Sequence, residues 1–298
     1  MLMDDLQRAF SALMSNGLTV VDQQRVAGGC ISESYRVITE DSQGRQQNWF
    51  AKTNRKSFLD NFQAEVDGLV RLANVAVIET PHPEAVGVLD DHAWLIMKWI
   101  DQKTPDQSFF EDFGVGLAEM HRCTSGARIG LDRDNFLGAA KQINLAVDRW
   151  IDFVAESRLG FQLQWGLNQQ RIDDSLRRNC EEIIASLDRL LDGRSEETSL
   201  LHGDLWSGNY LCSNEGRPVL IDPAVHYGCR EAEFGMLMLF GACPPSFYDS
   251  YQQAFPMAAG WQRRVNVYVL YHLLNHLNLF GSGYHGQCQQ ITEQILRS

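Results

Sequence analysis

His202-Gly203-Asp204-Leu205-Trp206-Ser207-Gly208-Asn209 sets a carboxylate five positions ahead of a carboxamide, and Asp222 follows eighteen positions after Asp204. Those residue types at that spacing suit phosphoryl transfer from a nucleoside triphosphate. The reaction asks little covalent work of a protein. One carboxylate orients and deprotonates the attacking hydroxyl, and oxygen ligands hold Mg²⁺ against the phosphates. In that chemistry Asp204 is the base, and Asn209 and Asp222 are the metal ligands. The chain between them reads as a hairpin: strand-like Tyr210–Cys212 and Val219–Ile221, joined by a turn at Ser213–Arg217. His-Gly-Asp by itself could be an ordinary turn, and Asp222-Pro223 an ordinary strand end. Joined by a hairpin, the two fit those bland readings poorly.

Such a site also needs a cation for the phosphates. Lys52 closes the apolar run Trp49-Phe50-Ala51, where a phosphate-gripping lysine would stand, and Glu65 lies on the helical pattern that follows. Taken singly, each is a common surface charge; their order, strand then helix, makes them a candidate pair. Gly28-Gly29 sits between the first two strand-like runs, where backbone could approach phosphates with no Cβ in the way. The match to G-x-G-x-x-G is poor, and the pair is equally a hairpin turn. Cys30, beside it, is either an inert thiol or an oxidation-sensitive device in that loop.

The elements that must position these residues are legible in outline. Leu6, Phe10, Leu13 and Met14 form a helical stripe, and strand-like runs follow at Leu18–Val26, Ser34–Thr39 and Asn48–Thr53. Phe58, Phe62, Val66, Leu69, Val70 and Ala73 predict a helix over Ser57–Asn74 with Ser57 as N-cap. Strands at Ala85–Leu89 and Ala93–Trp99 flank an Asp90-Asp91-His92 turn. The order predicts an antiparallel five-stranded sheet with a helix on its face. Beyond the polar stretch Asp101–Gln107 the pattern becomes helical, notably through Phe109–Met120, Ile172–Leu191 and Val265–Phe280. The expectation is an α+β, two-lobed chain divided near residue 100. Residues 1–100 form the ATP-binding lobe; residues 101–298 carry the catalytic loop, metal site and acceptor pocket.

Composition narrows the partners. With 26 basic against 38 acidic residues the net charge is −12, which argues against a nucleic-acid surface. A local cradle of backbone N–H groups, one lysine and Mg²⁺ still accommodates ATP, and acidity is compatible with a cationic acceptor. No apolar run approaches the roughly 18–20 residues of a membrane span. Seven scattered cysteines without a C-x-x-C pair fit reduced thiols. The expected setting is cytoplasmic, as monomer or homodimer, with no membrane or nucleic-acid partner.

With these residues assembled, the sequence resembles the fructosamine kinase (ketosamine-3-kinase) family, in the aminoglycoside-phosphotransferase-like branch of the protein-kinase-like fold. The resemblance spans nearly the whole chain. It includes Gly28–Ser32, Phe50-Ala51-Lys52, Phe62–Leu69, Leu117–Arg122, Asp134-Asn135-Phe136 and His202–Asn209. Asp222-Pro223-Ala224, His226-Tyr227-Gly228, Arg230–Glu233, Tyr271–His276 and Leu279–Gly281 continue it. It implies ATP- and Mg²⁺-dependent phosphorylation of the sugar 3-hydroxyl of a ketosamine, whose product then breaks down, hence deglycation. It assigns Asp204 as base, Asn209 and Asp222 to Mg²⁺, Lys52 and Glu65 to the ATP grip, and Gly28-Gly29 to the phosphates. Trp206 is then either a wall for the sugar or packing under the loop, and Asn275 and His276 either face the pocket or the core. Two alternatives stay open: a kinase of another small hydroxyl compound (aminoglycoside, choline or sugar), and an inactive nucleotide-binding scaffold. The presence of Lys52, Asp204, Asn209 and Asp222 speaks against the second.

Overall fold

The computed structural model describes all residues except 1–2, 15–16, 27–30 and 242. Gly28, Gly29 and Cys30 therefore lie outside the described residues. Two compact units emerge: Met1–Pro105 with Leu211–Asp222, and Asp106–Tyr210 with Pro223–Ser298.

The first unit is built on an antiparallel sheet of β1 (Thr19–Arg25), β2 (Glu33–Glu40), β3 (Gln46–Arg55), β4 (Pro83–Leu89) and β5 (His92–Lys98). The strand order is β1-β2-β3-β5-β4, so β3 is central. Side chains alternate between faces along each strand. One face carries Val37, Trp49, Ala51, Trp94 and Ile96, packed on Leu6, Ala9 and Phe10 of helix α1 (Met3–Leu13). The other carries Ala93, Leu95 and Met97, packed on Phe62 and Leu69 of helix α2 (Leu59–Val75). The sheet is thus covered on both faces, by the two helices whose apolar stripes the sequence shows. The predicted Ser57 N-cap is not observed. Ser57 falls within a 3₁₀ turn (Lys56–Phe58), and α2 begins at Leu59 without a side-chain cap. The Lys56 N–H is met instead by the Asp91 carbonyl at 2.7 Å, so the chain entering the helix is tied to the β4–β5 turn.

The segment Leu211–Asp222 joins this unit by backbone bonds. Leu220 N–H donates to the Glu79 carbonyl (2.8 Å), Lys103 N–H to Cys212 (3.0 Å) and Asn214 N–H to Asp101 (2.9 Å). It is the hairpin expected from sequence, strands Tyr210–Cys212 and Pro218–Leu220 around a turn closed by Ser213 and Arg217.

The second unit is mainly helical. Helix α3 (Gln107–Cys123) is N-capped by Asp106, whose carboxylate accepts the Phe109 N–H at 2.9 Å. It packs on the helix Pro245–Ala254 so closely that a Cβ at Gly114 would stand 2.2 Å from the Phe247 carbonyl oxygen. The helix Trp261–Phe280 is buried around most of its circumference, with the polar Arg264, His272, Asn275 and Asn278 buried beside its apolar residues. Several features escaped the sequence reading, the hairpin Asn135–Leu137/Ala140–Gln142 among them. Thr198–Leu201 pairs antiparallel with His226–Cys229. Phe153–Gly160 is a π-helix running without a break into the α-helix Phe161–Asn168.

Candidate active site

Lys52 lies on β3, registered against Ser34 of β2 and Leu95 of β5, and is only 6% exposed. A buried ammonium must be paired. Its Nζ donates to Glu65 Oε1 at 2.8 Å and to Asp222 Oδ1 at 2.5 Å. Burial works to strip the proton from Lys52, but the charges of Asp222 and Glu65 outweigh it and hold the group well above the ordinary lysine range. Burial pushes Glu65 up to about 7, against the pull of Lys52. Two carboxylates compete for one ammonium; the more deeply buried, Glu65, bears the cost of its own desolvation.

Asp222 reaches Lys52 in a left-handed backbone conformation, φ 55°. For a residue with a Cβ this costs of order 1 kcal/mol. The hairpin bonds described above hold it there. Its side chain is 40% exposed, unlike that of Glu65 at 13%. Asp222 is therefore the one of the pair with a face for a ligand.

The second unit holds the other cluster. Asn209 Nδ2 donates to both the backbone carbonyl (2.8 Å) and Oδ2 (3.1 Å) of Asp204, and Asn209 N–H closes the loop on the Trp206 carbonyl at 2.9 Å. The loop is pinned from below by Glu233, a buried carboxylate accepting the N–H groups of His202 (2.6 Å) and Gly203 (3.0 Å). Burial would raise Glu233, but His121, His202 and the Gly203 N–H hold it below the usual carboxylate range. His121 Nε2 lies 3.6 Å from Glu233 Oε2, and burial lowers that imidazole below the ordinary histidine range against the pull of the carboxylate. Its Nδ1 lies 2.9 Å from the Tyr251 hydroxyl.

Gly203 has φ +82°, and a Cβ there would stand 2.2 Å from the Ala224 carbonyl oxygen. That close approach accompanies the Ala224 N–H bond to the His202 carbonyl at 2.8 Å. Glycine is required at this position on both counts.

Of the sequence-predicted residues, the structure brings Lys52, Glu65 and Asp222 into mutual contact, and Asp204 and Asn209 into mutual contact. Trp206 is half-buried, its ring covering Gly208 and meeting Phe240 edge-on at 6.0 Å. Asn275 faces the core, accepting from Gln162 Nε2 at 3.1 Å. His276 is half-buried among Phe240, Phe280 and Tyr284, with centroids 4.8–5.4 Å away. Sequence reasoning missed the anchoring role of Glu233. The available signal was a charge opening the otherwise apolar run Phe234-Gly-Met-Leu-Met-Leu239.

Each unit, taken by itself, offers an oxygen donor of the kind Mg²⁺ takes. Asp222 offers a carboxylate, and Asn209, its amide nitrogen committed to Asp204, offers a carboxamide oxygen. Hard oxygen ligands are what that ion selects.

A family model described as "Fructosamine kinase" matches residues 2–298. The chain is 36% identical to a "Probable ketoamine kinase" of Synechocystis, over 93% of this chain and 91% of that one. It is 38% identical to a chloroplastic protein-ribulosamine 3-kinase of Oryza sativa subsp. japonica, over 91% of this chain and 78% of that protein. A solved candidate fructosamine-3-kinase of Thermobifida fusca superposes with TM-score 0.84 at 29% identity, covering 99% of each chain. An aminoglycoside phosphotransferase superposes with TM-score 0.67 at 16% identity, over 99% of this chain and 98% of that one, which establishes the shared protein-kinase-like fold. A match across the whole chain, at this identity and over a paired lysine and an Asp–Asn loop, has one meaning: the chain belongs to the fructosamine kinase family.

Proposed function

We propose that this chain transfers the γ-phosphoryl group of Mg·ATP to the sugar 3-hydroxyl of ketosamines, fructosamine- or ribulosamine-type adducts of an amine and a sugar, as a deglycation kinase of the cytoplasm. The observation that carries the reading is the Lys52 ammonium, buried yet charged, held between Glu65 and Asp222. A cation kept dry and fixed is what a polyphosphate needs.

Each residue then has a task. Lys52 takes phosphate oxygens, and Glu65 keeps it aimed. Asp222 and Asn209 would hold Mg²⁺, which would neutralise phosphate charge as ATP gives up its γ-phosphoryl group and leaves as ADP. Asp204 accepts the proton of the sugar hydroxyl, and Asn209 holds that carboxylate in one rotamer through Oδ2. The family resemblance assigns Gly28-Gly29 to the phosphates, and Trp206 would offer an apolar face to the sugar ring. The relatives named for ketoamines and ribulosamines, at 36–38% identity, favour a ketosamine acceptor. The aminoglycoside phosphotransferase likeness, at 16%, speaks for the fold alone.

The test is phosphorylation of a panel of fructosamines, ribulosamines, aminoglycosides and choline, with the modified position read by NMR. Ketosamines should be phosphorylated at the 3-hydroxyl, and Asp204→Ala should lose roughly 10²–10⁴-fold in turnover while still binding Mg·ATP. Undiminished turnover in that variant, or exclusive use of another acceptor, would refute the reading.

A further inference from the structure

A line of buried amides runs beneath the Asp204 loop, and nothing in the phosphoryl-transfer scheme above uses it. Asn135 and Gln142 face each other across the small hairpin Asn135–Leu137/Ala140–Gln142, at 4% and 1% exposure. Gln142 Nε2 donates to Asn135 Oδ1 (2.8 Å) and to the Ala224 carbonyl (3.0 Å), while its Oε1 accepts from the Tyr271 hydroxyl (3.0 Å). Asn135 Nδ2 donates to the Val225 carbonyl at 2.8 Å. Asn144 Nδ2 also donates to Asn135 Oδ1 (2.6 Å), and Asn144 Oδ1 accepts from Arg158 Nη2 (2.9 Å).

The line has a direction. At one end is the Arg158 guanidinium, 3% exposed, on the π-helix and 4.2 Å over the Phe153 ring. Asn144 and Asn135 each accept on the Arg158 side and donate away from it, so the charge polarises that run in one sense, whereas Gln142 accepts from Tyr271 and donates both back to Asn135 and on to Ala224. At the other end are two backbone carbonyls, those of Ala224 and Val225. Ala224 is the residue whose N–H binds the His202 carbonyl and whose carbonyl lies against Gly203. Gln142 therefore grips from one side the residue that the His202-Gly203 backbone touches from the other. Tyr271, pushed up to about 12 by burial, keeps its proton and remains a donor across the working pH range. A core needing only volume here would use apolar residues; a fully satisfied polar line specifies one position instead.

We propose that Gln142 and Asn135 are positioning residues for phosphoryl transfer, fixing Ala224 and through it the His202-Gly203-Asp204 backbone. The inference rests on the reading of Asp204 as base. A carboxylate displaced by about 1 Å loses roughly 10²-fold in rate without any change in its chemistry. Lys52 hydrogen-bonds to Glu65 and Asp222, not to the amides of the line.

The experiment compares Gln142→Leu, Tyr271→Phe and Asp204→Asn with the parent enzyme. It measures kcat, KM for ATP and for a fructosamine, Mg·ADP binding, thermal melting, and hydrogen exchange of the Gly203 and Ala224 amides. Gln142→Leu should lower kcat by about 10–100-fold, with KM for ATP and Mg·ADP binding within threefold of the parent, and exchange at Gly203 and Ala224 should quicken. Tyr271→Phe, which deletes a single hydroxyl, should lower kcat by about fivefold, the worth of one hydrogen bond. Parental kcat in folded Gln142→Leu, or a fall in kcat matched by an equal loss of Mg·ADP binding, would overturn the proposal. If Gln142→Leu does not fold, Tyr271→Phe decides, and parental kcat there overturns it equally. Asp204→Asn separates the two readings: if it keeps its turnover the base assignment fails, and if it is dead while Gln142→Leu is fully active only the positioning inference fails.

Discussion

A charge buried in a protein reports how it is held. Lys52 is ringed by two carboxylates that are not equivalent: Asp222 is the more exposed, and Glu65 is buried enough to titrate near 7. The sign of the pH effect follows. Below its raised pKa, Glu65 takes up a proton and no longer steadies Lys52, so ATP capture weakens on the acid side and recovers as pH rises. The kcat/KM for ATP, which reports groups of the free enzyme, should show an acid limb centred near pH 7. Glu65→Gln should remove that limb and flatten the profile at a lower plateau. A limb that persists unchanged in Glu65→Gln would assign the titration elsewhere. Lys52 itself should show no basic limb within the stable range, because its two partners hold it above the ordinary lysine value.

At the scale of elements, the helix Trp261–Phe280 carries a second titration, this one of stability. His272 is 4% exposed, and burial, with His276 and Arg158 nearby, lowers it to about 3. A histidine whose folded pKa is depressed must release its proton to fold whenever the medium is more acidic than its unfolded pKa of about 6.5. Its stabilising effect is complete above that value and is lost as pH falls towards 3. Between pH 7 and pH 5 this one residue should withdraw about 2 kcal/mol of stability. His272→Gln, of similar size and uncharged, should show a drop in denaturant midpoint over that interval smaller by the corresponding amount. An unchanged drop would exclude His272 as its source. Sequence alone could place this helix by its apolar run, but could not say that a histidine in it faces a dry interior.

The same contrast explains what was readable and what was not. The β1–β5 order, α2 and the 210–220 hairpin announce themselves through alternation, three- and four-residue steps and turn residues, which are local signals. The strand Thr198–Leu201 is buried at every position and shows no alternation, so nothing local separates it from a helical fragment. Ser57 has the chemistry of an N-cap but falls inside the 3₁₀ turn Lys56–Phe58, whose entry is tied to the Asp91 carbonyl by a tertiary contact. Among the candidate site residues, Asp204, Asn209 and Asp222 are suggested by their spacing and Lys52 by its place at the end of an apolar strand. Glu233 and Gln142 are not, because a carboxylate or amide that holds backbone carries no fixed sequence interval to what it holds.

For the molecule as a whole, the order of the chain matters as much as its composition. Asp222 belongs to the unit of Lys52 and Glu65, yet it is 170 residues beyond Lys52, and the chain visits the second unit before supplying it. The lysine thus obtains its full set of partners only after residues 211–222 have docked on Glu79 and residues 101–103. A nucleotide that engages Lys52 and Asp222 through Mg²⁺ would bind the folded chain and not the unfolded one, and so must raise its melting temperature. At a nucleotide concentration 100 times Kd the gain is about 2.7 kcal/mol, worth roughly 4 °C for a chain of this size. Non-hydrolysable Mg·ATP analogue should therefore raise Tm by about that much. Chelating the metal with excess EDTA should abolish most of the shift, and Asp222→Ala should match the chelated parent whether or not metal is present. A shift in the parent that survives EDTA intact would mean that the nucleotide is held by Lys52 and its surroundings without the cation, and would remove Asp222 from the ligand set.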